Sequence, residues 1–168
     1  AYIPIQHDYE GAPKQLTKKL VIEKLKPLLE KVPVVGQHIK FDRNVLAQHG
    51  LEINNIASDS MLMSYVLDST ATRHNLDAMA KFYLNYETTT YEEVAGKGVK
   101  QITFNQVDLE AGSDYAAEDA DITFRCYELL KDKLAKAPKL EKVLTEIDLP
   151  MIKVLSEVEQ NGALVDSD

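Results

Sequence analysis

Tyr115 and Asp119 are the two residues whose types and spacing most directly suggest chemistry in this sequence. They lie four residues apart in a segment that predicts a long helix, so both side chains project from one face, about one turn apart. Ala116, Ala117 and Ala120, which lie beside them, are small enough to let another part of the chain approach closely. A phenol and a carboxylate held on a rigid helix in this way can position a water molecule and a metal ion.

A third candidate, Asp42, stands where the apolar run PVVGQHI gives way to a predicted helix. Carboxylates at the exit of a central strand face the crevice in which open α/β sheets bind ligands. An aspartate at a helix start can equally be a cap that accepts hydrogen bonds from free N–H groups. In the same way Glu118, Asp119 and Asp121 can form a solvated acidic helix face. Spacing alone does not show that Asp42 and Asp119 meet in space.

The elements that must position these residues alternate between extended and helical patterns, which predicts an α/β fold. Thr17, Asp59, Thr90 and Asp108 are of the types that cap helix starts, and Gly50 and Gly162 of the type that ends helices. We expect Val45 and Leu46 to point inward. The predicted strands cover residues 1–5, 33–39 and 54–58, and the predicted helices residues 17–31, 42–50, 59–67, 76–84, 90–96, 108–137 and 140–162.

Composition limits the classes of function. The 168 residues suit one domain, and the net charge of -8 argues against a non-specific nucleic-acid binder unless bound cations supply positive charge. The single cysteine, Cys126, cannot form an internal disulfide and suits a reducing cytoplasm, packed inside its helix. No apolar run reaches the roughly 20 residues of a membrane span, so we expect no membrane partner. His7, His49 and His74 show no ligand spacing and predict structural or surface roles.

Several motifs in order along the chain resemble the proofreading 3′-5′ exonuclease domain of bacterial DNA polymerase I, in family A. The motifs are HIKFDRNVL, SDSMLMSYVL, RHNLDAMA, GKGVKQITFNQV and DYAAEDADIT. The last residues, LPMIKVLSEVEQNGALVD, resemble the segment that leads into the polymerase domain. The resemblance implies a ribonuclease H-like (DnaQ-like) α/β fold, with the exonuclease domain at residues 1–139. Residues 140–168 would then be a helix and the start of the connection to the polymerase domain.

The resemblance also implies roles for the site residues. Asp42 matches the aspartate of the second exonuclease motif and Asp119 that of the third, each a ligand of a catalytic divalent ion. Two ions, Mg²⁺ or Mn²⁺ and possibly Zn²⁺, would promote phosphodiester hydrolysis, because carboxylate oxygens are the ligands that hard cations prefer. Tyr115 matches the tyrosine that orients the attacking water. With an ordinary pKa near ~10, its phenol is better suited to positioning water than to removing its proton.

Four further residues are implied to contact the substrate, a single-stranded 3′ end of DNA. Arg73 matches a phosphate-binding arginine, and Tyr91 an aromatic residue that packs near the terminal nucleotides. Phe41 stands where tyrosine is frequent in the family, so the ring is kept without its hydroxyl. His38 stands where asparagine is common. The partners implied are this DNA end and the polymerase domain of the same parent chain, in the cytoplasm of a bacterium and associated with the nucleoid.

One motif of the family is missing. The Asp-x-Glu of its first strand has no counterpart, since the one at Asp108–Glu110 lies at a helix start. The chain begins with AYIPI, so we expect a fragment that lacks the N-terminal strands, is inactive alone and associates with itself through exposed sheet edges. Two other functions stay open at this point: a non-catalytic domain that supports a polymerase, and a ribonuclease D type exonuclease acting on RNA.

Overall fold

The computed structural model describes residues 1–164 and shows a mixed, mainly helical α/β fold with a small sheet. None of the helices in this range is both long and apolar enough to cross a membrane. The strands are β1 (Val34–Gly36) and β2 (Ile56–Asp59), and the helices are α1 (Lys18–Leu29), α2 (Ile39–Ala47), α3 (Ser60–Leu67), α4 (Leu76–Met79), α5 (Tyr91–Ala95), α6 (Leu109–Leu134), α7 (Pro138–Val143) and α8 (Leu149–Asn161). π-Helical segments follow α4 (Ala80–Leu84) and join α7 to α8 (Leu144–Asp148).

The sheet is a parallel pair in which α2 connects β1 to β2. Val34 pairs with Ile56 and Gly36 with Asp59, with an irregularity after Val34. Gly36 is required at its position, because an added Cβ would come within 2.8 Å of the Cβ of Ile39. This close approach brings the start of α2 directly against the end of β1.

One carboxylate organises the end of this pair of strands. Asp59, whose residue is 1% exposed, ends β2 and caps α3 by accepting hydrogen bonds from the backbone N–H groups of Met61 and Leu62 at 2.9 and 3.2 Å. It also accepts from the N–H groups of His38 and Ile39, at 3.3 and 2.8 Å, where α2 begins. The same side chain therefore satisfies free N–H groups of two helices.

Two apolar clusters hold the layers together. The larger one packs α6 against α3, the α4 region and the π-helical segment after α7; its buried members are Met63, Met79, Ala80, Ile122, Cys126, Leu130, Leu134 and Leu144. The smaller one packs α8 against α2 and the sheet through Ile39, Ile53 and Ile152. Cys126 is fully buried, as expected, and burial raises its pKa to about 11. α6 thus has a firmly packed face on which its other side chains are positioned.

Several helix predictions are confirmed by their caps. Thr17 accepts a hydrogen bond from the N–H of Leu20, Thr90 and Glu93 form a reciprocal capping box, and Asp108 accepts from the N–H groups of Glu110 and Ala111. Gly162 follows α8 with a positive φ. These signals act within three or four residues, which is why the sequence shows them directly.

Other predictions are wrong. Residues 1–5 form no strand, and the extended run at 33–39 is a strand only over Val34–Gly36, because α2 begins at Ile39 rather than Asp42. The Asp59 carboxylate accepts hydrogen bonds from the N–H groups of His38 and Ile39, which explains why α2 begins earlier than predicted. Val45, predicted to point inward, is 40% exposed, since α2 buries Ile39 instead.

The single helix predicted at 140–162 is also divided. A π-helical segment, Leu144–Asp148, separates α7 from α8, and Pro150 lies at the start of α8. Proline lacks the N–H that would continue the α-helical hydrogen bonds, so a local change in their pattern just before it has a clear physical cause.

Two of the histidines have structural roles, as predicted. The ring of His7 is buried and lies 2.6 Å from the Tyr2 hydroxyl through Nε2 and 3.0 Å from the Val107 carbonyl oxygen through Nδ1. His74 is buried as well, with its Nδ1 2.8 Å from the Ser64 hydroxyl. His49 is exposed.

The shared cap at Asp59 yields a stability prediction. Asp59→Ala should lower the free energy of unfolding by about 2–4 kcal/mol, because it leaves buried N–H groups at two helix starts without an acceptor. Urea unfolding followed by circular dichroism would measure this loss. Asp108→Ala is the matched control: it removes one exposed cap and should cost about 1 kcal/mol. Equal losses in the two variants would contradict the double-cap role.

Candidate active site

The structure brings Asp42 and Asp119 to one cavity, although they are far apart in the sequence. The cavity has a volume of about 510 Å³ and lies between the end of β1, the start of α2, and α6. Its lining residues are Val35, Gly36, Gln37, Asp42, Leu76, Asp119, Ala120, Thr123 and Phe124. Both carboxylates therefore face a common space that is large enough for ions, water and a phosphate group.

Asp119 lies on the cavity side of α6 and is partly buried. Burial raises the pKa of its carboxyl to about 6; the Tyr115 hydroxyl lowers this pKa, while the nearby charges of Asp77 and Glu118 raise it. Above pH 6 the Asp119 carboxyl is therefore mainly ionised, although it is only partly solvated. Such a group gains stability from any cation that binds beside it.

Asp42 lies in the first turn of α2 and shows the same tendency. Partial burial raises the pKa of its carboxyl, His38 lowers this pKa, and the charge of Asp59 raises it. The side chain does not form the cap of α2, since that position belongs to His38 and the capping oxygens come from Asp59. The alternative that Asp42 only caps α2 is therefore wrong.

Tyr115 lies one turn before Asp119 on α6. Burial, followed by the charge and hydrogen-bonding interaction of Asp119, raises the pKa of its phenol to about 12. The phenol is consequently protonated at neutral pH and can donate one hydrogen bond and accept others. It is suited to orienting a water molecule and unsuited to acting as a base.

An aromatic cluster supports Tyr115 from the side. The Phe104 ring centroid lies 5.9 Å from that of Tyr115 and 6.3 Å from that of Tyr91, and Tyr91 is 6.2 Å from Tyr115. On its other side Phe104 contacts the ring of His7 at 5.9 Å. Gly112, one turn before Tyr115, leaves room for this packing: an added Cβ would lie 3.4 Å from Phe104.

The four residues implied to contact substrate lie outside the cavity lining. Phe41 is 62% exposed and stacks on His38 with a centroid distance of 6.4 Å. His38 adopts a left-handed backbone conformation, with φ of 57°, which histidine and asparagine both tolerate better than most residues. Arg73 is exposed in the loop between α3 and α4, and Tyr91 is 38% exposed at the start of α5.

The donor set fits a divalent ion only in part. Within residues 1–164, no group of three or more His, Cys, Asp or Glu side chains is arranged to hold a metal ion. Asp42 and Asp119 nevertheless share a cavity, and Mg²⁺ is commonly held in proteins by one or two carboxylates together with water molecules and substrate phosphates. In such a site Asp42 and Asp119 would supply the carboxylates, and most of the ligand positions would belong to water and substrate.

Sequence reasoning missed several residues of the site. Gln37 and Thr123 line the cavity, and Asp77 influences the pKa of both Tyr115 and Asp119. Gln37 directly follows β1, and that position at the end of a parallel strand could have pointed to it. Asp77 and Thr123 carry no local pattern that distinguishes them from other helical residues.

Comparison with known proteins gives the family. The sequence model of a 3′-5′ exonuclease family matches residues 1–135 of the chain. The chain belongs to this 3′-5′ exonuclease family. The match confirms the resemblance seen in the motifs, and members of the family generally depend on divalent metal ions.

Relatives that match nearly the whole chain are DNA polymerase I proteins. The chain is 50% identical to DNA polymerase I of Pseudomonas aeruginosa, 36% to that of Rhizobium leguminosarum and 35% to that of Borreliella burgdorferi. Each match covers 99% of the chain and 19%, 17% and 18% of the respective relative. The chain thus spans less than a fifth of the length of these relatives.

The raised pKa of Asp119 predicts a pH-dependent stability. A carboxyl whose folded pKa lies near 6, above its ordinary 3.8, contributes stability that is complete below the ordinary pKa and lost as the pH rises through 6. Asparagine cannot ionise, so without divalent ions Asp119→Asn should be more stable than the natural chain by about 1–2 kcal/mol at pH 8, after allowance for solvent screening. The two should converge near pH 4.

Urea unfolding in EDTA at pH 4, 6 and 8 would measure this difference. Asp121→Asn, an exposed neighbour on the same helix, is the control and should change the free energy of unfolding by less than about 0.5 kcal/mol throughout. A loss of stability in Asp119→Asn that is the same at pH 4 and pH 8 would contradict the buried-charge explanation.

Proposed function

We propose that the chain is the proofreading 3′-5′ exonuclease part of a DNA polymerase I, which hydrolyses 3′-terminal nucleotides from single-stranded or frayed DNA. The observation that carries this proposal is the common cavity of Asp42 and Asp119. The family match and the DNA polymerase I relatives support the reaction class and the kind of parent protein.

The fold and the division of the chain are part of the same proposal. A parallel β-α-β unit, with carboxylates at the strand end and on a crossing helix, agrees with a ribonuclease H-like fold. We assign residues 1–139 to the exonuclease domain and residues 140–168 to a helical connection towards the polymerase domain. In the parent protein the domain would act in the bacterial cytoplasm, on DNA of the nucleoid.

Asp42, on α2, and Asp119, on α6, would hold the divalent metal ions in the cavity that both residues line. Such ions supply a hydroxide nucleophile near neutral pH and stabilise charge on the leaving 3′ oxygen. Asp42 would be anchored by α2 and Asp119 by the packed helix α6, so neither carboxylate needs to reorganise when substrate arrives. Preorganisation of this kind lowers the activation barrier of hydrolysis, because the carboxylates are already oriented in the folded protein.

Tyr115 would orient the attacking water. Its hydroxyl keeps its proton at neutral pH, and the Phe104 and Tyr91 rings restrict the rotation of its own ring. A phenol in this position can accept a hydrogen bond from the water and so direct an oxygen lone pair towards the phosphorus.

The exposed residues around the cavity would bind the DNA end. Phe41 and Tyr91 present aromatic rings for stacking with unpaired bases, and Arg73 presents a guanidinium for a phosphate. His38 supports Phe41 by stacking on it. Because the chain carries a net charge of -8, these local contacts and the ions, rather than overall charge, would supply the affinity.

Loss of either carboxylate should remove nuclease activity selectively. In the DNA polymerase that contains this chain, Asp42→Asn and Asp119→Asn should each slow removal of a 3′-terminal nucleotide at least ~100-fold, because losing several kcal/mol of transition-state stabilisation costs tenfold for each 1.36 kcal/mol. DNA synthesis should be retained. Both rates can be measured on one primer–template with a mismatched 3′ end, with and without EDTA.

Asp121→Asn is the matched control, since it removes an exposed carboxylate of the same helix that pairs with Arg125. It should trim the mismatched end at the normal rate. Equal loss of synthesis and trimming in the two site variants would indicate misfolding, and normal trimming in both would overturn the proposed function.

A further inference from the structure

The segment of residues 85–90 runs from the end of the π-helical segment Ala80–Leu84 to the start of α5, and one side chain of α6, Glu118, accepts two hydrogen bonds from it. The Tyr86 hydroxyl donates a hydrogen bond to Oε1 of Glu118 at 2.7 Å. The backbone N–H of Thr89 donates to Oε2 of the same carboxylate, also at 2.7 Å. Each oxygen of Glu118 thus accepts from a different part of the segment. This residue does more than contribute to a solvated acidic face.

Other contacts also join this segment to α4 and α6. The Thr88 hydroxyl donates to Oδ1 of Asp77 in α4 at 2.7 Å. The Arg125 guanidinium lies 5.5 Å from the centroid of the Tyr86 ring, a distance at which a cation is attracted to the ring face. The segment is therefore attached to α4 on one side and to α6 on the other.

The segment leads directly into a residue of the proposed DNA-binding surface. Thr90 caps α5, and Tyr91 is its first residue. The ring of Tyr91 lies 6.2 Å from that of Tyr115 and is 38% exposed. Glu118 is the neighbour of Asp119 in the sequence and holds the segment that places Tyr91. α6 thus connects Tyr91, at the edge of the site, with Asp119 in the cavity.

We propose that Glu118 is a positioning residue for the exonuclease reaction, which fastens the 85–90 segment so that Tyr91 stays at the rim to stack on the 3′-terminal nucleotides. This role rests on the proposed function. Glu118 contacts neither substrate nor reacting atoms; it acts through the segment. Loss of the attachment leaves Asp42, Tyr115 and Asp119 in place and weakens the binding of DNA.

A carboxylate suits this position because each of its two oxygens accepts one of the two hydrogen bonds. A glutamine has one oxygen acceptor and an NH2 group that only donates, so it cannot serve both the Tyr86 hydroxyl and the Thr89 N–H in the same way. Alanine serves neither. Tyr86→Phe removes one donor and keeps the ring beneath Arg125. A graded series is therefore available, in which Tyr86→Phe and Glu118→Gln are mild and Glu118→Ala is severe.

The experiment uses the DNA polymerase that contains this chain and a single-stranded oligonucleotide, with two readouts. In Glu118→Ala, KM for 3′-end removal should rise roughly 10-fold with kcat within about twofold, the pattern of a lost binding contact. Amide hydrogen exchange of residues 86–91 should become roughly 10-fold faster, since local opening exposes these N–H groups. Tyr86→Phe and Glu118→Gln should shift both quantities in the same direction by less.

Glu128→Gln, an exposed glutamate farther along α6, is the matched control and should change neither quantity. Unchanged exchange of residues 86–91 in Glu118→Ala, or faster exchange with normal KM, would overturn the positioning role alone. A fall in kcat with normal KM would also overturn it, because Glu118 would then act on the chemical step.

If the unsubstituted polymerase removes no 3′ nucleotides, the proposed function fails and this role with it, while the exchange data still report on the attachment itself. Should Glu118→Ala not fold, Tyr86→Phe decides the outcome by the same two readouts.

Discussion

The site depends most on four hydrogen bonds that the Asp59 carboxylate accepts from backbone N–H groups. Asp59 lies at the end of β2, and these hydrogen bonds hold the first residues of α2 and α3 together. Since Asp42 lies in the first turn of α2, its position in the cavity follows from where Asp59 makes that helix begin. A single buried side chain thus links the end of the sheet to the geometry of the proposed chemistry, and it does so from outside the cavity lining.

The cavity brings together two carboxylates, Asp42, whose residue is exposed, and Asp119, which is half-buried. Burial raises the pKa of both Asp42 and Asp119, and among the described residues neither forms an ion pair with a lysine or arginine. A carboxylate of this kind is costly when charged and alone, and a bound cation offsets the cost. The loss of stability that we predict for charged Asp119 above pH 6 would be offset by a bound cation, and members of the family generally depend on divalent metal ions.

The position of Tyr115 depends on residues from three distant parts of the chain. Phe104 contacts the rings of both Tyr91 and Tyr115, and its other side packs on His7, which the N-terminal region contributes. The absence of a side chain at Gly112 lets Phe104 lie close to α6. Aromatic rings in edge and tilted contacts restrict one another over a continuous surface. The N-terminal residues, which form no strand, thereby contribute to the site indirectly.

The sequence by itself determined the local features of this protein: the caps at Thr17, Thr90 and Asp108, the single face shared by Tyr115 and Asp119, and, through its ordered motifs, the family. A cap or a helix face involves residues within about one turn, so its pattern is visible in a short stretch of sequence. The strand predicted at residues 1–5 was wrong because a strand also needs a neighbour to pair with. Only the tertiary structure decided that α2 begins at Ile39, that Asp42 and Asp119 share a cavity, and that Glu118 fastens the 85–90 segment. These features join residues distant in the sequence, and they arise when the packed core brings separate elements together, which no local pattern specifies.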